Sequence, residues 1–144
     1  MTWLFVLFTV LGGAALALQA GINAQIGKQI GTIEASFLAY GVGTIALLVA
    51  TFVVGKGDFA QISTLPKWNL FIGVLGALYI FIMVLSVPEV GAGTAMIAAI
   101  LGQVIIGMVL DHFGMFGVEV MPINFQRIAG VLLMGVALYL FYKP

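Results

Sequence analysis

The 144-residue chain has no cysteine and one histidine, and its charged residues are limited to five basic and five acidic side chains. The absence of cysteine excludes disulfides, thiolate metal sites and cysteine nucleophiles. One histidine and no clustered carboxylates leave neither a metal site nor a nucleophile–base pair at a recognisable spacing. A formal net charge of zero removes the basic patch that nucleic acid binding requires. We therefore expect no enzyme activity, no metal, no cofactor and no nucleic acid partner.

The sequence is instead dominated by long apolar runs. Apolar residues make up 63% of it and charged residues 7%, whereas soluble domains are near half apolar and about a quarter charged. Five runs approach the roughly 20 residues that a helix needs to cross a bilayer: residues 3–26, 35–54, 68–87, 92–110 and 123–142. None shows the two-residue alternation of a membrane β-barrel. The sequence predicts an all-α integral membrane protein, with residues 1–144 forming a single transmembrane domain of five helices.

Turn and capping residues predict the limits of the first three helices. The first run lacks the charged leading segment of a signal peptide, so we expect a retained helix. Gly27–Gly31 predicts a short hairpin after it. Thr32 is then a candidate cap for the second helix, with Glu34 in its first turn. Pro88 should end the third helix because proline has no N–H for the backbone ladder.

Similar signals bracket the last two helices. Asp111–Gly114 predicts the end of the fourth helix, and Pro122 with Asn124 suits the start of the fifth. We expect Arg127, in the first turn of the fifth helix, to be an interfacial anchor or the partner of a loop acid.

The number of helices and the balance of charge bear on orientation. With five spans, Lys56, Lys67 and Arg127 lie on one side of the membrane, and Lys28 and Lys143 lie on the other. Three basic residues against two is too small an excess to fix the topology by the positive-inside rule. Insertion in both orientations would let two copies pair about an axis in the membrane plane. We therefore predict an antiparallel (inverted) homodimer with ten helices.

Six short motifs are spread over nearly the whole chain. They are Gln19–Gly27, Pro88–Gly91, Gly102–Gln103, Asp111–Gly114, Arg127–Gly130 and Gly135–Leu138. In combination they resemble the YdcZ-like family of small five-helix proteins in the drug/metabolite transporter superfamily. Larger members of that superfamily look like two such units fused in opposite orientation. The resemblance implies a half-transporter in a bacterial plasma (inner) membrane, paired with a second copy or a paralogous partner.

One position differs from a related branch of that superfamily. Small multidrug-resistance proteins have a membrane-embedded glutamate in the first span, and the comparable stretch here carries Gln19. The missing carboxylate argues against proton-coupled export of organic cations by that mechanism.

Polar residues within the apolar runs are the candidate substrate-binding residues. Gln19 and Asn23 are four residues apart and share a face of the first helix. Tyr79 and Gln103 lie near the centres of the third and fourth runs, and Glu34 could stand at a cavity mouth. Uncharged polar groups in hydrocarbon face the bundle interior or a wet cavity, because they are costly to bury unpaired. Interhelical hydrogen bonding for the amides and helix N-terminal stabilisation for Glu34 remain the structural alternatives.

These features predict a transporter of a small polar or cationic solute, working by alternating access at a cavity in the dimer interface. A structural or assembly subunit of a larger membrane complex is one alternative. A channel is another, although the chain has neither rings of like charge nor a repeated filter motif. No run carries a carboxylate at its centre, so proton exchange would have to use Glu34, or Asp111 with His112. We therefore expect transport without a steep dependence on pH.

Overall fold

The computed structural model describes the backbone of residues 2–142 and the side chains of residues 3–142, so Lys143 lies outside the described residues. Within that range the chain is helical and has no strand. Its α-helices are α1 (Thr2–Ile30), α2 (Thr32–Val54), α3 (Ile72–Val90), α4 (Ala92–Phe113) and α5 (Phe125–Tyr142). All five are long and apolar enough to cross a membrane, which confirms the predicted number of spans.

The connection between α1 and α2 is shorter than predicted. Helix α1 runs through Gly27 to Ile30, so the turn is the single residue Gly31 and not the segment Gly27–Gly31. Gly31 has φ 106° and ψ 151°, a conformation that only glycine adopts readily. Thr32 is the first helical residue and caps nothing, since the cap position belongs to Gly31. Glu34 lies in the first turn of α2, as predicted.

Helix α3 also continues beyond its predicted end. Pro88 lies inside the helix, which ends at Val90. The proline is two residues from the end, and its missing N–H removes the one backbone hydrogen bond that residue 88 would donate to the carbonyl of Val84. The turn into α4 is then Gly91, at φ 82°. The connection from α2 to α3 contains two 3-10 helices, Phe59–Thr64 and Lys67–Phe71.

The chain forms two compact units, the first ending at Pro88 and the second beginning at Glu89. In the first unit, α1, α2 and α3 meet at Gly27. A β-carbon there would lie 2.6 Å from Val84 Cγ1 of α3 and 3.8 Å from Ala35 Cβ of α2. Small residues allow such close approach, which in lipid replaces the hydrophobic force between helices. The residues buried in this unit are Ala20, Asn23, Ala24, Ala35, Met83, Val84 and Val87.

In the second unit, α4 and α5 form a hairpin whose loop is tied back to the end of α4. Gly114, at φ 59°, caps α4, and the backbone N–H of Met121 donates to the carbonyl of Asp111 at 2.9 Å. The side chain of Asn124 accepts from the N–H of Arg127 at 2.9 Å, so Asn124 caps α5 as predicted. Arg127 Nη1 lies 3.1 Å from Asp111 Oδ2, so the arginine partners an acid of the last turn of α4 and not the loop acid that was predicted.

Most apolar side chains of all five helices are exposed. No residue of α5, and only Ala35 of α2, is buried. Such surfaces are stable only against lipid or another apolar protein surface, because each exposed square ångström costs about 25 cal/mol in water. The helices therefore present the surface of a membrane protein.

Candidate functional site

The two amides predicted on one face of α1 differ in their surroundings. Asn23 is buried, with 7% of its surface exposed, and Gln19 is exposed. Asn23 belongs to the inward stripe of α1, together with Ala20, Ala24 and Gly27. Gln19 lies one turn earlier, at the edge of that stripe. The structure thus places one amide within the first unit and leaves the other facing outward from it.

Two tyrosines lie at the depth of these amides. Asn23 is four residues before Gly27, about 6 Å along α1, and Tyr79 is five residues before Val84, about 7.5 Å along α3. Because Gly27 and Val84 are in contact, Asn23 and Tyr79 occupy nearly the same level. Tyr79 is half-buried.

The second tyrosine, Tyr40 of α2, was not predicted from the sequence. Its side chain is half-buried, and its hydroxyl lies against Gly76 of α3, where a β-carbon would overlap it. Gly76 is eight residues before Val84, so it lies about 12 Å along α3 from the Gly27 contact. Gln19 lies at the same distance along α1. We call Gln19, Asn23, Tyr40 and Tyr79 the polar layer of the first unit.

The amide of Asn23 has no hydrogen-bond partner within the part of the chain that the structure describes. No side-chain nitrogen or oxygen there is both fully enclosed and unpartnered, so this amide opens to space outside the packed atoms. Its donors and acceptor are therefore available to a solute, to water or to a second copy.

Replacement of Gly76 tests the position of the Tyr40 hydroxyl. We expect Gly76→Ala to destabilise the protein by about 1–3 kcal/mol, because the new methyl group displaces that hydroxyl and loosens the contact of α2 with α3. In a Tyr40→Phe background the same change should cost much less. The four proteins of this cycle are compared by thermal unfolding in detergent. Equal costs of Gly76→Ala in both backgrounds would contradict the proposed contact.

The other two predicted site residues lie elsewhere. Glu34 is exposed at the start of α2, with its carboxylate folded back over Gly31. It is three residues after the cap position, where the helix dipole favours a negative charge. Gln103 is exposed on α4, which belongs to the second unit. The structure thus brings Asn23 and Tyr79 to one level of the first unit, with Gln19 a turn away and Glu34 in the first turn of α2.

The second unit has a groove of its own between α4 and α5, with a volume of about 560 Å³. The Asp111–Arg127 ion pair closes one end of it, and the other lining residues are Val104, Gly107, Met108, Gly130, Val131 and Met134. Arg127 also donates to the carbonyl of Met121 at 3.4 Å. These bonds hold the loop onto the helix ends, which gives the ion pair a structural role. Within the described residues, no group of histidine and acidic side chains could hold a metal ion.

Comparison with known proteins identifies a family of membrane proteins. The model of the family described as "Putative inner membrane exporter, YdcZ" matches residues 4–140. The inner membrane protein YdcZ of Escherichia coli (strain K12) is 29% identical over 136 residues, which cover 92% of this chain and 91% of that protein. No solved structure matches. The chain has five apolar helices and is a multi-pass inner membrane protein. It belongs to the YdcZ family, which is described as inner membrane exporters.

Proposed function

We propose that the chain is one half of an exporter in which two inverted copies enclose a shared site near the membrane midplane. The polar layer lines that site, with Gln19 and Asn23 contributed by both copies, and Gln103 is a further candidate for binding the solute. A small polar or cationic solute binds there and crosses by alternating access.

The observation that carries this proposal is the unpartnered amide of Asn23. A residue that serves only as interhelical glue would bond to a neighbouring helix, as Thr94 of α4 donates to the carbonyl of Phe141 at 3.4 Å. Among the described residues, Asn23 makes no such bond although it is buried. An amide offers both donors and acceptors, which suits the recognition of a polar solute.

The exposed glutamines support a second copy. Gln19 and Gln103 are exposed, and the stretches beside them, residues 10–18 of α1 and 104–110 of α4, are entirely apolar. Facing lipid, each amide would be unpaired in hydrocarbon at a cost of several kcal/mol. Pairing of two copies covers both and completes the site. The odd number of helices and the near-equal basic counts allow the pairing to be inverted.

The chemistry of the layer limits the solute. Amides and phenols provide hydrogen bonds but no fixed charge, so the site does not require an ionised ligand. Glu34, in the first turn of α2, adds one negative charge that would attract cations to the mouth of the site. The nearest carboxylate thus lies outside the polar layer, which fits transport without steep pH dependence.

Labelling from the two sides of the membrane tests the inverted arrangement. The chain has no cysteine, so Gln29→Cys and Gly57→Cys each introduce one thiol at an exposed position without changing the basic counts. The first lies at the α1–α2 turn and the second in the connection from α2 to α3, on the opposite side of the membrane. We expect an impermeant maleimide, added to intact cells, to label about half of the molecules at each position, because the basic counts set no preferred orientation. Labelling of permeabilised cells gives the total number of molecules that carry the thiol. Complete labelling at one position with none at the other would refute the proposal.

A further inference from the structure

The connection between α2 and α3 is more ordered than its polar composition predicts. Its two 3-10 helices, Phe59–Thr64 and Lys67–Phe71, are separated only by Leu65 and Pro66. Asp58 caps the first of them, since its carboxylate accepts from the N–H of Ala60 at 2.8 Å. We call residues 55–71 the α2–α3 connection.

Each of these short helices carries an exposed apolar edge. Residues three apart eclipse one another in a 3-10 helix, so Phe59 and Ile62 share one edge, and Trp68 and Phe71 share another. Their exposed fractions are 68%, 42%, 62% and 69%. With Leu65 and Leu70, six large apolar side chains are exposed within these 13 residues, far more than a hydrated loop carries.

The polar side chains on the first helix are largely satisfied from within. Ser63 donates to the carbonyl of Ala60 at 2.9 Å, and Thr64 donates to the carbonyl of Gln61 at 2.7 Å. Because these hydroxyls are already hydrogen-bonded within the segment, moving it to a region of low water content costs little free energy. The connection can therefore lie at the boundary of headgroups and hydrocarbon without breaking these bonds.

A concavity adjoins the first apolar edge. Its volume is about 350 Å³, and it is lined by Thr51, Gly55, Gly57, Asp58, Phe59 and Ile62. It lies where the last turn of α2 meets the first 3-10 helix. The two polar side chains of its lining are bonded to backbone: Thr51 donates to the carbonyl of Leu47 at 2.8 Å, and Asp58 accepts from Ala60. The rest of the lining is backbone and apolar carbon, which suits the upper part of a lipid chain.

Two lysines flank this apolar surface. Lys56 precedes the first 3-10 helix and Lys67 begins the second, and both are exposed. Across residues 3–142 the one ion pair is Arg127–Asp111, so neither lysine is neutralised by a carboxylate. Lysines beside apolar side chains at a membrane surface attract anionic headgroups.

We propose that the α2–α3 connection lies in the membrane interface and binds anionic phospholipid. Phe59 and Ile62 enter the acyl region, and Lys56 and Lys67 bind the headgroups. The connection joins two membrane-spanning helices, one ending at Val54 and the next span starting at Lys67, so its apolar edges continue a surface that already faces lipid. This inference stands independently of the proposed transport function.

Fluorescence quenching in liposomes tests the proposal. Single cysteines at Phe59, Ala60, Gln61 and Ile62 are labelled with an environment-sensitive dye, and nitroxides are placed high on the lipid chains. All four positions are exposed in the protein, so differences between them report lipid. We expect quenching at 59 and 62 to exceed that at 60 and 61 by at least about twofold, since interfacial segments bury their apolar side about 5–10 Å deep.

The binding of anionic headgroups by the two lysines is tested separately. Spin-labelled phosphatidylglycerol should quench the dye at Ile62→Cys more than spin-labelled phosphatidylcholine does, by about fivefold. In Lys56→Gln/Lys67→Gln the two lipids should quench equally. Equal quenching at all four positions, with iodide reaching each of them, would overturn the interfacial placement. Shielding of 59 and 62 from both iodide and lipid nitroxides would show a protein partner instead and also overturn it. A lipid preference unchanged in the double variant would overturn the role of the lysines.

Discussion

Replacement of Asn23 by alanine should lower transport by about tenfold or more while leaving the protein at least as stable. The transport loss follows because one hydrogen bond to the solute contributes up to about 1.5 kcal/mol, which is close to a factor of ten. The stability result follows because the buried side chain of Asn23 has no hydrogen-bond partner in residues 3–142, so its replacement breaks none of the bonds seen there. Gln19→Ala should lower transport by a similar factor. Flux is measured in liposomes against a panel of small polar and cationic solutes, and stability by thermal unfolding.

Gln25→Ala is the matched control, since Gln25 is an exposed amide of the same helix two residues beyond Asn23 and outside the polar layer. We expect it to change flux by less than about a factor of two and the unfolding free energy by less than about 0.5 kcal/mol. If Asn23→Ala and Gln19→Ala instead dissociate the dimer in mild detergent and retain normal residual flux, the amides hold the copies together and the transport site lies elsewhere.

The limits of the helices could be predicted only in part. The apolar runs indicated five helices because length alone decides whether a helix can cross a bilayer. The predicted ends of α1 and α3, at Gly27 and Pro88, were wrong because glycine and proline commonly terminate helices. Gly27 stays helical because α2 and α3 pack against it. Pro88 is tolerated because it stands in the last turn of α3. Both reasons are tertiary or positional, and a local pattern does not contain them.

The polar layer was predictable to a similar extent. Asn23 and Tyr79 could be found because a polar group within an apolar run is rare and costly. Tyr40 was missed because a tyrosine in such a run also fits lipid or core packing. Its signal is Gly76 on another helix, and only the fold brings the two together. The difference in burial between Asn23 and Gln19 likewise depends on how α1 is rotated against α2 and α3.

A shift of basic charge across the membrane should remove transport, which can then be restored by a second, oppositely charged copy. Gly57→Lys with Gln61→Lys raises the basic count on one side from three to five, against two on the other. Both positions are exposed, and a side chain at Gly57 meets nothing within 4 Å. An excess of three fixes one orientation by the positive-inside rule. Inverted pairs then cannot form, so we expect flux to fall to background.

The complementary copy carries Lys56→Gln, Lys67→Gln and Gln29→Lys, which leaves one basic residue on the first side and places three on the other. It too should be inactive alone, because all its molecules insert the opposite way. Co-expression of the two should restore flux to near the unmodified level, since each supplies the orientation that the other lacks. The charge-neutral pair Gly57→Gln and Gln61→Asn should stay active by itself. Full activity of either biased copy alone would show that a single orientation transports, and the inverted dimer would then be wrong.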